Sequence, residues 1–365
     1  MHILADAWQS VQARLFPHLQ ECLDEPLTPK LKQLVTTLEI VRIEEHVPSC
    51  FLRWRGRPVC DRRVLARAYV AKAVYNLTTT CMLREMLLLQ PALRTICGFE
   101  YRRQVPSEST FSLAFAEFAG SDLGGRVHRA LVDTHVSNQV VMHVSCDSTE
   151  IPAREKPAKK AEKPPKVKKK RGRPAKGQEP APKELTRLEK QEGQSAAEAI
   201  AQLPKVCDVG VKTDTKGYKH AWIGWKAHIS WADGAVPLTV VTTSASLHDS
   251  QVAIPIAKRT AERVTSLYDL MDSAYDAAPI YRVSQNLGHV PIIDANRRKG
   301  TSAPFDPAKT ARYNERTTAE RGNARLKDDF GCRHLRVRGH AKAHLHIMFG
   351  ILALFADQLL KPLRC

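Results

Sequence analysis

The sequence predicts a mixed α/β domain that follows an all-helical domain and is interrupted by a disordered, basic insertion. Three observations support this fold class. Residues 1–137 carry apolar residues at helical spacing, as in 62–77 and 82–89. From Gln139 onward, short β-branched runs alternate with helical patterns. The block 154–194 is rich in Lys and Pro and nearly lacks aromatic residues, so it cannot bury enough apolar surface to offset the entropy of ordering.

The predicted organisation has four parts. A helical domain covers 1–137, and the α/β domain covers 138–153 and 195–343. The insertion, which we expect to be disordered or loosely helical, covers 154–194, and a C-terminal helix covers 344–365. A further helix is expected to begin near the hydroxyl residues of 106–110. Strands are predicted at 140–146, 206–212, 221–231, 236–243, 267–271 and 290–293, with Asp233-Gly234 as a hairpin turn, and helices at 253–264, 308–328 and 344–360.

Charge gives the first indication of function. The chain has 56 Lys and Arg against 38 Asp and Glu, a net charge of +18, and such a surplus attracts a polyanion, usually nucleic acid. A basic protein with its surplus in one tail is the alternative, but Arg and Lys are also dense in 297–299 and 321–342. The nine cysteines include no CxxC pair, which argues against a zinc site and indicates a reducing, cytoplasmic compartment. No apolar run approaches the roughly 20 residues that span a bilayer, so no membrane partner is expected.

Three acidic residues stand out by their context. Asp147 and Asp272 follow apolar strands, and Glu320 lies on a predicted helix. Carboxylates at the rim of a sheet can share divalent ions, and two such ions can activate an attacking oxygen and stabilise a leaving oxygen in phosphoryl transfer. Magnesium favours oxygen ligands of this kind. By position alone, a strand-end Asp is more often a cap or a turn former.

The predicted helix that carries Glu320 presents more than one functional group. Tyr313, Arg316, Glu320 and Lys327 fall within roughly a 60° arc at about 100° per residue. The carboxylate can bind metal, the two cations can bind phosphate, and the phenol can stack or donate a hydrogen bond. The alternative is an ordinary solvated face with ion pairs.

The spacing Tyr-x2-Arg-x3-Glu-x6-Lys over 313–327 resembles the signature around the catalytic glutamate in one large group of bacterial insertion-sequence DDE transposases. The group's second motif resembles Asp272-Ser273-Ala274-Tyr275-Asp276, and its first resembles Asp147-Ser148-Thr149. The stretches 224–228 and 247–250 are similar to its hairpin and following loop, and 56–58 and 106–111 are similar to its N-terminal helical domain. The likeness covers nearly the whole chain except the Lys/Pro block.

The resemblance implies an RNase H-like catalytic core with Asp147, Asp272 and Glu320 as the catalytic, metal-binding triad. It implies two Mg²⁺ ions, for which Mn²⁺ can substitute, and endonuclease cleavage by water followed by strand transfer from a 3′-hydroxyl. Tyr313, Arg316 and Lys327 would contact DNA. The partners implied are double-stranded DNA, as terminal inverted repeats and target DNA, and a second copy of the chain in a synaptic homodimer. The helical domain would bind DNA and dimerise, and the protein would associate with the bacterial nucleoid.

Residues 168–174 read Lys-Lys-Lys-Arg-Gly-Arg-Pro, which resembles an AT-hook. Lys170, Arg171 and Arg173 are therefore candidate minor-groove contacts, because the narrow groove of A/T-rich DNA has an enhanced negative potential. The alternative is a flexible tether that touches phosphates without specificity. The tetrapeptide recurs at 55–58, where apolar neighbours indicate a folded entry loop.

Other residues near the site are interpreted as structural. Asp249, Asp269, Asp276 and Asp294 also lie near strand ends, and we expect them to be structural. By spacing, His340, His344 and His346 could form a metal cluster, but a basic DNA-facing helix or ordinary helix packing is expected instead. Trp222, Trp225 and Trp231 could stack on bases, but core packing on strands is expected.

Two other functions remain open from the sequence. One is a catalytically inactive, transposase-derived protein that binds DNA and regulates. The other is a different RNase H-like nuclease, which would hydrolyse DNA without joining strands.

Overall fold

A computed structural model describes residues 27–48, 60–159, 185–213, 216–296 and 305–361. Within the described part of the N-terminal region the chain is helical, as predicted. Its helices are α1 (Pro29–Val41), α2 (Arg62–Val74), α3 (Thr80–Leu89), α4 (Pro91–Cys97), α5 (Glu108–Gly120) and α6 (Leu123–His135). Helix α5 begins where the hydroxyl residues of 106–110 predict a helix start, with Ser107 at the N-cap.

The strands form one mixed sheet. They are β1 (Val140–Pro152), β2 (Asp208–Thr213), β3 (Lys219–Ala232), β4 (Val236–Ser244), β5 (Thr265–Met271) and β6 (Val290–Ile293). The order is β2-β3-β1-β5-β6, and β4 also pairs with β3. Strand β3 runs antiparallel to β1, β2 and β4, whereas β5 runs parallel to β1 and β6. Antiparallel strands on one side of β1 and parallel strands on the other form the RNase H-like mixed sheet, so the predicted fold class is confirmed.

The turn between β3 and β4 is the predicted hairpin turn at Asp233-Gly234. Gly234 has φ +74°, a left-handed conformation that glycine adopts without steric strain. The Asp233 carboxylate accepts hydrogen bonds from the backbone N–H of His143, at 3.1 Å, and from its ring nitrogen Nδ1, at 2.9 Å. These contacts tie the hairpin to β1 and fix the antiparallel half of the sheet.

Both faces of the sheet are covered by helices. One face packs against α9 (Ser250–Ala261) and α10 (Ala278–Asn286), with α7 (Arg187–Gly193) and α8 (Ala196–Ala201) outside them. The other face packs against α12 (Thr317–Asp328) and α13 (His340–Leu360). The apolar core on this second face is continuous with that of helices α1 to α6. The sheet and the N-terminal helices therefore share one core.

The ends of the Lys/Pro-rich block are ordered, whereas 160–184 lie outside the described residues, so disorder or loose helicity over most of 154–194 stays a prediction. The backbone N–H of Ala158 donates to Cys207 at 2.9 Å, and helix α7 packs with Gln191 buried. Two capping boxes, Thr186 with Glu189 and Ser195 with Glu198, start α7 and α8. Both are Ser/Thr-x-x-Glu patterns that the sequence displays. Lys170, Arg171, Arg173 and the repeated tetrapeptide at 55–58 lie outside the described residues.

Helix α13 corrects the expectation that no apolar segment approaches membrane-spanning length. It has 21 residues and is long and apolar enough to cross a bilayer by length and composition. However, 78% of its most apolar window is buried inside the protein, where it packs on β4 and on α1, α2, α5 and α6. It therefore serves as the core helix, and it begins four residues before the predicted start at His344.

Candidate active site

Two aspartates flank the point where the parallel strands separate. The last residues paired between β1 and β5 are Ser145 and Leu270, and Asp147 and Asp272 each lie two residues beyond that pair. Because side chains alternate along a strand, the two carboxylates project to the same side of the sheet. The sequence predicted that Asp147 ends its strand. In the structure, β1 continues to Pro152 and is paired there only with β3. The fork between β1 and β5 is therefore where both aspartates lie.

The two carboxylates are close enough to perturb each other. The pKa of Asp147 is raised to about 6, chiefly by burial and also by the charges of Asp272 and Asp249, although a backbone hydrogen bond from Ser148 and the charge of Arg316 oppose the rise. Burial also raises the pKa of Asp272, whose Oδ1 accepts the Ala274 backbone N–H at 2.9 Å. The fork therefore concentrates partly desolvated negative charge, which a nearby cation would stabilise.

Helix α12 brings the third acidic residue to the fork. Asn323 Nδ2 donates to Asp147 Oδ2 at 2.9 Å, and Glu320 lies one helical turn earlier on the same helix. The close approach depends on Gly322, since a Cβ there would lie 2.7 Å from the Trp231 ring. Glu320 Oε1 accepts from Arg316 at 2.8 Å, and its side chain is 56% exposed. Glu320 thus faces the site edge, held by an arginine.

The predicted single helix over 308–328 is two helices, α11 (Pro307–Asn314) and α12. The Thr317 hydroxyl donates to the Asn314 carbonyl at 3.0 Å, and the backbone N–H of Arg316 bonds to Tyr313 three residues earlier. The backbone N–H of Thr318 likewise bonds to Glu315, so the ladder of four-residue bonds gives way here to bonds that span three residues. The periodicity indicated that Tyr313 and Glu320 share one helix, but Tyr313 lies on α11 and Glu320 on α12.

The DNA-contact candidates are brought together only in part. The Arg316 guanidinium lies over the Tyr313 ring, 5.7 Å from its centroid, and also binds Glu320. Lys327 is half-buried on α12. It lies seven residues after Glu320 and is thus roughly 10 Å further along the helix. Tyr313, Arg316 and Glu320 form one cluster, and Lys327 lies beyond it.

A further charged group at the fork was interpreted from sequence as structural. Asp249 Oδ1 accepts from Lys226 Nζ at 2.9 Å, and the Ser148 hydroxyl also bonds to it. The pKa of Asp249 is lowered: burial opposes ionisation, but His228, Lys226 and Ser148 outweigh it. Asp249 and Asn323 both contact the fork. The only signal for Asn323 is its position one turn after Glu320.

The other acidic candidates have structural contacts. Asp269 is buried and accepts from Ser284 Oγ at 2.5 Å and from His289 Nδ1 at 3.0 Å. Asp276 accepts the backbone N–H of Asn296 at 3.0 Å, and Asp294 is exposed. The contacts of Asp269 and Asp276 agree with their structural interpretation, and that of Asp294 stays a prediction.

The histidine and tryptophan groups are also engaged in packing. His340 and His344 bond to Thr242, at 2.9 Å each, and His346 bonds to the Gly331 carbonyl at 3.0 Å. The three tryptophans, Trp222, Trp225 and Trp231, are buried, as the packing interpretation predicted.

The donor set at the fork fits a hard divalent cation. Carboxylate oxygens are the ligands that such ions prefer, and the two aspartates carry mutually unfavourable charge. Among the described residues, however, no three His, Cys, Asp or Glu side chains stand in a metal-holding arrangement. Glu320 is instead engaged by Arg316. Asp147 and Asp272 would supply two ligands to such an ion, and Glu320 would have to exchange its arginine partner to become the third.

Comparison with known families agrees with the geometry. The transposase DDE domain matches residues 142–356, and a transposase domain (DUF772) matches 21–117. No curated protein and no solved structure gives a match. Proteins of the DDE family are nucleic-acid phosphoryl-transfer enzymes that act on DNA and generally use divalent metals. The DDE match spans the sheet, the fork and α12, and extends into α13. The chain therefore belongs to the transposase DDE domain family.

Proposed function

We propose that this transposase cleaves DNA at the ends of a mobile element and transfers the cut strands into target DNA, with Asp147, Asp272 and Glu320 as the catalytic carboxylates. The observation that supports this most directly is the fork: two electrostatically coupled aspartates meet a helix that hydrogen-bonds one of them and carries the glutamate one turn away. Both terminal inverted repeats and target DNA would be substrates.

We propose Mg²⁺ as the metal, as two ions, with Mn²⁺ able to substitute. When bound, such ions activate the attacking oxygen and stabilise the leaving oxygen. The protein's own groups have separate tasks. Asn323 orients the Asp147 carboxylate, and the Arg316 guanidinium is placed to hold the phosphate that gains negative charge in the reaction.

The DNA contacts proposed near the site are Tyr313, Arg316 and Lys327. The phenol and guanidinium already contact each other, so they offer a joint surface to a backbone phosphate. Lys327 would contact the duplex further along α12. Lys170, Arg171 and Arg173 are proposed as minor-groove contacts on the basis of the sequence.

A dimer that pairs two element ends follows from the need to hold both ends during transfer. Association with the nucleoid follows from the net charge of +18 and the affinity of such a surplus for DNA phosphates. Sedimentation of the protein with and without end DNA measures directly whether the protein forms the proposed dimer.

The test of the catalytic assignment compares wild type with Glu320→Ala on DNA that carries the flanking repeats, in magnesium. We expect wild type to cut and join, and the folded variant to bind DNA but do neither. Glu315→Ala is the matched control, since Glu315 is an exposed glutamate on the same segment and should keep activity.

The same assay separates the alternatives. A wild-type protein that binds the repeats and never cuts would indicate a regulatory DNA-binding protein. Cutting without joining would indicate a simple nuclease. Equal cutting by wild type and Glu320→Ala would show that the glutamate is misassigned.

The insertion is tested by deletion of 160–184 and closure with a short Gly/Ser linker. Wider bounds, such as 154–194, would remove folded contacts: Glu155 accepts the Gly339 N–H at 2.8 Å, and Lys258 Nζ donates to the carbonyls of Gln191, Glu192 and Gln194 at 2.6–3.0 Å. We expect weaker DNA binding with cleavage still detectable. Complete loss of cleavage in a folded deletion protein would contradict a purely affinity-enhancing role.

A further inference from the structure

A cavity of about 700 Å³ lies away from the fork, between α2, the start of α3 and the segment that joins α12 to α13. Phe330 and Gly331, which follow the C-terminal end of α12, line one wall. Thr78, Thr79 and Thr80, at the N-terminus of α3, line another. Glu320 lies in the first turn of α12 and Phe330 just after its last turn, so roughly 15 Å of helical rise separates this cavity from the fork.

The cavity is lined by four cations. Lys72 forms part of its lining and is only 9% exposed. Arg336, Arg338 and Lys342 are exposed at its rim. The one carboxylate among the described lining residues is Glu108, which interacts with the Cys81 thiol. Over the described part of the chain, none of the four cations forms an ion pair.

Lys72 is the least ordinary member of this group. Buried lysines are rare unless they are paired, because an isolated ammonium loses its hydration on burial. The acidic group that would favour the charged form of Lys72 is the Cys332 thiol. Burial raises the pKa of that thiol to about 12, so it is neutral and cannot serve as a counterion. Arg336 adds repulsion: with burial, it lowers the pKa of Lys72 to about 8. An anion in the cavity would remove this unfavourable charge.

The start of α3 adds backbone donors to the same space. Thr79 is the N-cap of this ten-residue helix and accepts the Met82 N–H at 3.1 Å, and no acidic residue occupies the first turn. A helix N-terminus carries partial positive charge and free N–H groups, which favour phosphate. The backbone dipole and the buried ammonium thus point to the same class of ligand.

We propose that this cavity binds a phosphate ester, with Lys72 at its floor and Arg336, Arg338 and Lys342 at its rim. The phosphate comes either from the backbone of end DNA, which rests on the proposed function, or from a small free phosphate compound. As a DNA contact, the cavity holds the duplex at a second point beyond the fork and adds affinity without entering the chemistry.

The test measures affinity for a duplex with the flanking repeat at several salt concentrations, without divalent metal, so that cleavage plays no part. The variants are Lys72→Met and the rim pair Arg336→Gln with Arg338→Gln. If DNA supplies the phosphate, the slope of log Kobs against log salt becomes less steep by about one for each phosphate that the variant no longer neutralises. The rim pair is exposed and should fold even if the floor variant does not.

The matched control is Lys32→Gln with Lys190→Gln, which removes two exposed charges that do not line the cavity. A second arm titrates inorganic phosphate and follows the thermal midpoint. Stabilisation of wild type but not of Lys72→Met or the rim pair, with unchanged salt slopes, would identify a small phosphate as the ligand.

Unchanged slopes together with equal phosphate responses in wild type and variants would overturn the site. That result would leave the catalytic assignment intact, because the Glu320→Ala assay reads cleavage and not affinity. Conversely, a wild type that never cuts but shows the expected slopes would overturn the catalytic assignment alone.

Discussion

At the scale of single residues, the fork shows why two aspartates 125 positions apart lie together. Each stands two residues past the last paired residues of β1 and β5, Ser145 and Leu270, and strand periodicity turns both to one side. Motif spacing was sufficient to nominate Asp147, Asp272 and Glu320. It placed Asp249 near the site only as a structural residue and did not nominate Asn323, because the contacts of both join residues that are distant in sequence.

Asn323 gives the first residue-scale prediction. Its amide nitrogen donates to Asp147, and its Oδ1 is buried without a hydrogen-bond partner in the described structure. We expect Asn323→Ala to lower the cleavage rate by roughly 10- to 100-fold, as for other groups that orient a metal ligand, and to raise the magnesium concentration that half-saturates the rate. End-DNA binding should not change.

Asn314→Ala is the matched control, because Asn314 is exposed at the end of α11. A loss of cleavage in Asn323→Ala with an unaltered magnesium dependence would point to general destabilisation and contradict a positioning role.

At the scale of elements, the buried strands and the hairpin were predictable because β-branched runs and an Asp-Gly turn mark them locally. The extension of β1 to Pro152 was not, because residues 148–150 are all polar and a proline follows at 152, and the segment gains its strand partner, β3, only in the fold. The break between α11 and α12 also escaped the periodicity, because side-chain spacing does not reveal the local change to backbone bonds that span three residues.

Helix α12 supplies the element-scale prediction. Gly322 lets the helix lie against Trp231, and a methyl group there would come within 2.7 Å of the ring. We expect Gly322→Ala to displace α12, to destabilise the fold by about 1–3 kcal/mol, and to slow cleavage, because Glu320 and Asn323 move with the helix. Urea unfolding and end cleavage measure the two effects.

Gly120→Ala is the control, since it is also a helical glycine but a Cβ there meets nothing within 4 Å. It should leave cleavage unchanged. Equal stability and equal cleavage of Gly322→Ala and Gly120→Ala would show that the contact between α12 and Trp231 does not require a glycine at 322.

At the scale of the whole molecule, stability should depend on pH through the buried pair of Asp269 on β5 and His289 just before β6. The hydrogen bond and charge of Asp269 raise the pKa of His289 above its ordinary 6.5, although burial opposes this. A raised folded-state pKa means that the stabilising contribution is complete below about pH 6.5 and is lost as the pH rises through the raised value.

The difference in urea midpoint between wild type and His289→Gln should therefore be largest below about pH 6.5 and should shrink as the pH rises through the raised pKa of His289. The difference between the two proteins removes the contribution of other titrating groups. Parallel profiles would exclude the pair as a source of the pH dependence.

The sequence predicted the parts of the molecule better than their joining. Helical character before residue 137 is evident from spacing, but nothing local indicates that these helices share a core with the sheet. The buried Asp357 shows how they join: it accepts from Gln33 on α1 at 2.9 Å and from Arg325 on α12 at 2.7 Å. The domain boundaries at 137 and 343 remain predictions.

This shared core bears on how the position of a cut is chosen. A DNA-reading module on a flexible tether could present many points of a duplex to the carboxylates. Here α1 and α12 both bond to the same buried aspartate on α13, so any DNA that the N-terminal helices held would meet the fork at a fixed offset. The distance between the N-terminal helices and the fork, rather than the bases at the cleavage point, would then set where the strand is cut.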